Sequence, residues 1–151
     1  YEKGAWIFHM LRGILGDEPF FALLASISEK YRFRDITTED FRREAARFVP
    51  SDCEDRDLAD FFDQWVEGTG IPRLAVEASA GATGVKGVLR QSGVDDTFAA
   101  TVRLRAYFAD RAPADAVVTT DGEETEFAIA ATGKLVRVEI DPDGYLLAVK
   151  R

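Results

Sequence analysis

Apolar residues recur at helical spacing as far as residue 72 and alternate with period two from residue 73 onward. Gly68-Thr69-Gly70-Ile71-Pro72 marks the change and reads as a hinge. In the first part the spacing predicts four helices. The first runs from Glu2 to Leu15, with Ile7, Leu11, Ile14 and Leu15 on its apolar stripe and Gly16 as its stop. The second starts at Asp17, expected to be its N-cap, and buries Phe20, Leu23, Leu24 and Ile27. The third opens on Thr37-Thr38-Glu39-Asp40, a capping-box pattern. It buries Phe41, Ala45 and Phe48 and stops at Pro50. The fourth is expected from about Asp57 to Val66, burying Leu58, Phe61, Phe62 and Trp65. Short connections between helices favour antiparallel packing.

The second part predicts about seven strands. In the segment 97–108, Phe98, Ala100, Val102, Leu104, Ala106 and Phe108 face one way, and Thr101, Arg103, Arg105 and Tyr107 the other. Val136, Val138 and Ile140 repeat that pattern against Arg137 and Glu139. Leu74, Val76 and Ala78, then residues 85–91, supply two earlier strands. Residues 78–84 are small and read as a flexible loop. Asp121-Gly122 is a hairpin signal, and Asp141-Pro142-Asp143-Gly144 a type I turn. The expected fold is therefore α+β. A helical array of about four helices (1–72) precedes a fibronectin type III-like β-sandwich of about seven strands (73–151).

Charge narrows the function. The net charge is −8 over 151 residues. Residues 1–72 carry 9 Lys/Arg and 15 Asp/Glu, residues 73–151 carry 10 and 12, so the acidity is concentrated in the helices. A nucleic-acid partner would need a basic stripe, which is missing. No apolar run reaches the ~20 residues of a membrane span. Cys53 stands alone among acidic neighbours, which disfavour a thiolate. Asp60, Asp63 and Glu67 share the spacing of one helix face and read as solvated carboxylates. Asp141 and Asp143 fall short of a calcium loop. His9, between Phe8 and Met10, reads as a packed histidine. It is the chain's one histidine, so H-E-x-x-H cannot be present.

Several segments nevertheless resemble one family. They are Tyr1-x-Lys3-Gly4-Ala5, His9-Met10-Leu11-Arg12, Leu15-Gly16-Asp17-Glu18 with Phe20, Thr37-Thr38-Glu39-Asp40-Phe41, and Phe61-Phe62-Asp63-Gln64-Trp65 with Gly70-Ile71-Pro72. Val138-Glu139-Ile140-Asp141-Pro142-Asp143 with Leu146-Leu147 adds a weaker match. Together they resemble the aminopeptidase N-like zinc metallopeptidases, the gluzincins, from the catalytic-domain tyrosine motif through the β-sandwich that follows. The resemblance implies a helical C-terminal part of a thermolysin-like catalytic domain, then a β-domain. It implies that Tyr1 stabilises the oxyanion formed during hydrolysis of a substrate's first peptide bond.

The same resemblance implies zinc in the intact parent and none in this chain, because the family's metal motif, its ligand glutamate and its G-x-M-E-N segment have no counterpart here. The implied partners are the upstream catalytic domain of the same protein and, in the parent, a peptide substrate. The chain alone is then expected to be inactive. A first helix cut from its neighbours would leave Trp6, Phe8 and Met10 bare, so either self-association through that face or fraying near Tyr1 is expected. Two other readings stay open at this level: an interaction module, and a relative that has lost its chemistry and serves as a scaffold.

Overall fold

In the computed structural model, which describes residues 2–151, the chain forms two compact units, Tyr1–Thr69 and Gly70–Arg151. The first is helical: α1 (Glu2–Leu15), α2 (Asp17–Lys30), α3 (Thr38–Ala46) and α4 (Ala59–Phe62), which continues as one π turn, Asp63–Glu67. The second holds β1 (Arg73–Gly81), β2 (Gly84–Ser92), β3 (Thr101–Phe108), β4 (Ala114–Thr119), β5 (Glu124–Ile129), β6 (Leu135–Ile140) and β7 (Val149–Lys150). The α+β expectation of four helices and seven strands therefore holds.

Within the helical unit, Met10, Leu11 and Leu15 of α1, Phe20 and Leu23 of α2, Ala45, Leu58, Phe61, Phe62 and Trp65 are buried together with Val49. Met10 was expected on the bare face of α1 and is instead buried, next to Leu11, which lies one helical turn before the buried Leu15. Trp6 and Phe8 are exposed as expected, at 38% and 42%. Phe41 and Phe48 are only half-buried; Phe41 lies on the rim of the aromatic cluster, meeting Phe8 and Phe62.

Asp17 is not the N-cap of α2. Gly16 takes that place with φ 83°, a left-handed conformation natural to glycine, and Asp17 in the first turn pairs with Arg12 at 2.8 Å. The cap of α3 is as expected: Thr37 Oγ1 accepts from the Asp40 amide at 3.1 Å, and the Asp40 carboxylate accepts from the Thr37 amide at 3.3 Å. The fourth helix is shorter than its periodicity implied. Leu58 precedes it in the left-handed region (φ 59°) and is fully buried, so its side chain, rather than backbone preference, fixes that corner. The Asp55 carboxylate accepts from the amides of Asp60 and Phe61, the work of a displaced cap.

In the β unit the strands form two sheets, ordered β5-β2-β1-β7 and β4-β3-β6. This is the pairing of a sandwich of the immunoglobulin and fibronectin type III kind, except that the last strand pairs in parallel with β1. The inward set from Phe98 to Phe108 is buried throughout and meets Leu74, Val85, Leu89, Phe127, Ile129 and Ile140 in one core. Three local readings are corrected. Residues 78–84 are not a loop. β1 and β2 pair from Arg73↔Ser92 to Gly81↔Gly84 around a two-residue turn at Ala82 and Thr83. Asp121-Gly122 does not close a hairpin either: it carries the chain from β4 in one sheet to β5 in the other.

A buried polar cluster fixes that crossing. Thr120 Oγ1 donates to Gln91 Oε1 and accepts from the Ala100 amide, both at 2.8 Å, while Gln91 Nε2 donates to the Phe98 carbonyl at 2.8 Å. Val136 is the third correction. A bulge lets Tyr107 face Arg137 while Phe108 faces Leu135, so the alternation slips and Val136 is exposed.

Candidate functional site

The expected catalytic residue, Tyr1, lies outside the described residues. What the structure describes is the helix turn that follows it. In that turn Glu2, Gly4 and Ala5 are exposed and Lys3 is half-buried. A Cβ built on Gly4 would meet nothing within 4 Å. The turn is thus open on the side of Gly4, and Trp6 and Phe8 continue the exposure along the helix.

Lys3 reaches the other way. Its Nζ donates to the Gly68 carbonyl at 2.7 Å, a contact between residues 65 apart in sequence. No local pattern in the sequence could have revealed this partner. The acceptor is set by the π turn. The Gly68 amide donates to the Asp63 carbonyl at 2.8 Å, five residues back, where an α-helix would bond four back. Trp65 in this turn is buried.

The π turn also rearranges the acidic face. Asp63 and Glu67 line a cleft of about 400 Å³ with Thr37, Thr38, Glu39, Arg42 and Phe62, whereas Asp60 does not. Glu39 is held by Arg42 through two bonds of 2.9 Å, which lower its carboxyl below the usual range. Asp60, Asp63 and Glu67 are exposed, as solvated carboxylates should be.

His9 is exposed rather than packed. Its ring stands edge-on to Trp6, with centroids 5.6 Å apart. The Cys53 thiol is pushed up, chiefly by burial and further by Asp55 and Asp52, which suits a bystander more than a nucleophile. The segment 141–144 is a turn. Gly144 donates to the Asp141 carbonyl at 3.1 Å. The buried Asp141 carboxylate accepts from the amides of Tyr145 and Leu146 and from Lys150 Nζ. Those partners occupy the oxygens that a cation would need.

Among the described residues no three His, Cys, Asp or Glu side chains are grouped to hold a metal ion. A peptidase zinc site takes two histidines and a carboxylate or an equivalent set. With one histidine exposed against Trp6, this chain's own residues do not fit zinc. No helix is long and apolar enough to cross a membrane among the described residues.

No protein-family model matches the chain. Aminopeptidase N of Lactococcus lactis subsp. lactis is 32% identical to it over 77 residues, 51% of this chain and 8% of that protein. A crystal structure of Legionella pneumophila aminopeptidase A in complex with aspartic acid matches the whole of this chain with a TM-score of 0.72, at 23% identity and over 17% of the solved chain. At that identity the match speaks for the fold. The chain thus spans less than a tenth of the curated relative and about a sixth of the solved one.

Proposed function

We propose that this chain is the C-terminal piece of a zinc-dependent aminopeptidase. In this reading residues 1–72 complete a thermolysin-like catalytic domain and residues 73–151 form an appended β-sandwich domain. The observation that carries it is the 32% identity to an aminopeptidase N over 77 residues. The whole-chain structural likeness to aminopeptidase A supports it at the level of fold. Zinc and its ligands belong to the remainder of the protein. The exposed Trp6 and Phe8 are where that remainder would pack, and in its absence where two copies of this chain would associate.

Tyr1 supplies the chemistry. Peptide hydrolysis builds negative charge on the former carbonyl oxygen, and a phenol that keeps its proton at neutral pH can donate a hydrogen bond to it. Removing one such donor costs about 10²–10³ in kcat. In the intact enzyme, Tyr1→Phe should lower kcat on an aminoacyl-anilide by that factor with KM little changed. A kcat within twofold of the parent would end the reading. The isolated 151-residue chain should not hydrolyse the same reporter, and chelator-sensitive turnover by it would contradict the fragment proposal.

A second reading is a non-catalytic interaction or scaffold module; the exposed apolar side chains of the three-stranded sheet are Val117 and Val136. The sequence preceding Tyr1 separates the two: H-E-x-x-H there supports the peptidase, and its absence supports the scaffold.

A further inference from the structure

The turn that follows Tyr1 is weakly built. Gly4 within it lowers helix stability by about 1 kcal/mol relative to alanine. The burial that anchors α1 lies further on, at Met10, Leu11 and Leu15. Within residues 2–5, Lys3 is the half-buried side chain, and its ammonium holds the Gly68 carbonyl at 2.7 Å.

That acceptor is rigid. Gly68 closes the π turn by donating to the Asp63 carbonyl, and the turn is seated by the buried Phe61, Phe62 and Trp65. A Cβ on Gly68 would strike the Gln64 carbonyl and come within 3.0 Å of the Asp63 carbonyl, so the site admits glycine alone without a backbone shift. The carbonyl at a helix C-terminus carries partial negative charge and lacks an intrahelical donor, which suits a lysine ammonium.

We propose that Lys3 is a positioning residue for the peptidase reaction: its bond to the Gly68 carbonyl at the end of the π turn holds in place the helix turn that follows Tyr1 in the chain. This rests on the oxyanion role proposed for Tyr1. Misplacing a catalytic group by about 1 Å can cost 10²-fold in rate, so a tether on a weak turn has kinetic consequences.

A double-mutant cycle in the intact enzyme tests it. Lys3→Met should lower kcat about tenfold at near-constant KM, and Lys3→Arg, which keeps a cationic donor, should restore most of the loss. In a Tyr1→Phe background the same Lys3→Met change should cost less than about twofold, because a positioning residue has nothing left to position. Gly68→Ala, which displaces the acceptor instead of the donor, should show the same dependence on Tyr1. Should Lys3→Met not fold, as judged by circular dichroism, Lys3→Gln takes its place in the cycle. If Tyr1→Phe is impaired but Lys3→Met is fully active, or costs the same factor in both backgrounds, the positioning role is wrong and the Tyr1 role survives. If Tyr1→Phe is fully active, both fall.

Discussion

Glu44 offers the sharpest test of how the helical unit is held together. Its side chain is 2% exposed, yet it is an ionised carboxylate on α3. Three donors account for this: Ser26 Oγ at 2.7 Å and Lys30 Nζ at 2.8 Å from α2, and Arg47 at 2.6 Å just beyond α3. The bonds from Lys30 and Ser26, more than burial, set its affinity for protons and hold the carboxyl below the usual range. Replacing Glu44 with Gln keeps the volume and one accepting oxygen but turns the other into a donor that faces cations. One to two charge-assisted bonds are lost, each about 1.5–3 kcal/mol. Lys30 and Arg47 are more than half exposed and rehydrate easily, which discounts the loss to about 2 kcal/mol in total.

At about 2–4 °C per kcal/mol for a chain of this size, Glu44→Gln should lower the melting temperature followed at 222 nm by about 4–8 °C at pH 7. The sign of the pH dependence follows from the lowered folded-state pKa. The stabilisation is fully present above the unfolded value near 4.5 and is lost as pH falls through the lower folded value. The gap between parent and variant should therefore close below pH 4.5. A shift within about 1 °C at pH 7, or a gap that persists unchanged at pH 3, would refute the reasoning.

Two further outcomes are expected. Thr120→Val leaves the Ala100 amide and Gln91 Oε1 without their partner inside the sandwich. It should cost about 2–4 kcal/mol in urea unfolding, and a change below about 0.5 kcal/mol would show that the cluster does not hold the crossing from β4 to β5. Cys53, its thiol pushed up by burial, should react with iodoacetamide at pH 7.5 several-fold more slowly than free cysteine, and faster alkylation would overturn that assignment.

Features settled within a few residues were legible in the chain itself. The period-two run from Phe98 to Phe108 assigned every inward side chain of β3 and its approach, because successive residues of a strand must point to opposite faces. The Thr37–Asp40 box marked the start of α3, because both hydrogen bonds close within three residues. The motif at residues 1–5 pointed to a candidate chemistry, but only through resemblance; nothing in its spacing identifies an oxyanion donor.

Tertiary structure decided whatever depends on a partner far along the chain. Asp121-Gly122 looks like a hairpin and crosses between sheets, because the Gln91–Thr120 cluster joins residues 29 apart. Glu44 sits between Arg43 and Ala45 like any surface charge on an amphipathic helix, and becomes a buried hub only when α2 brings Ser26 and Lys30 against it. The bond from Lys3 to Gly68 has no local signature at all. It exists because the π turn delivers a carbonyl to the start of α1, and a chain's periodicity specifies which face of an element is apolar without specifying which distant element will lie against it.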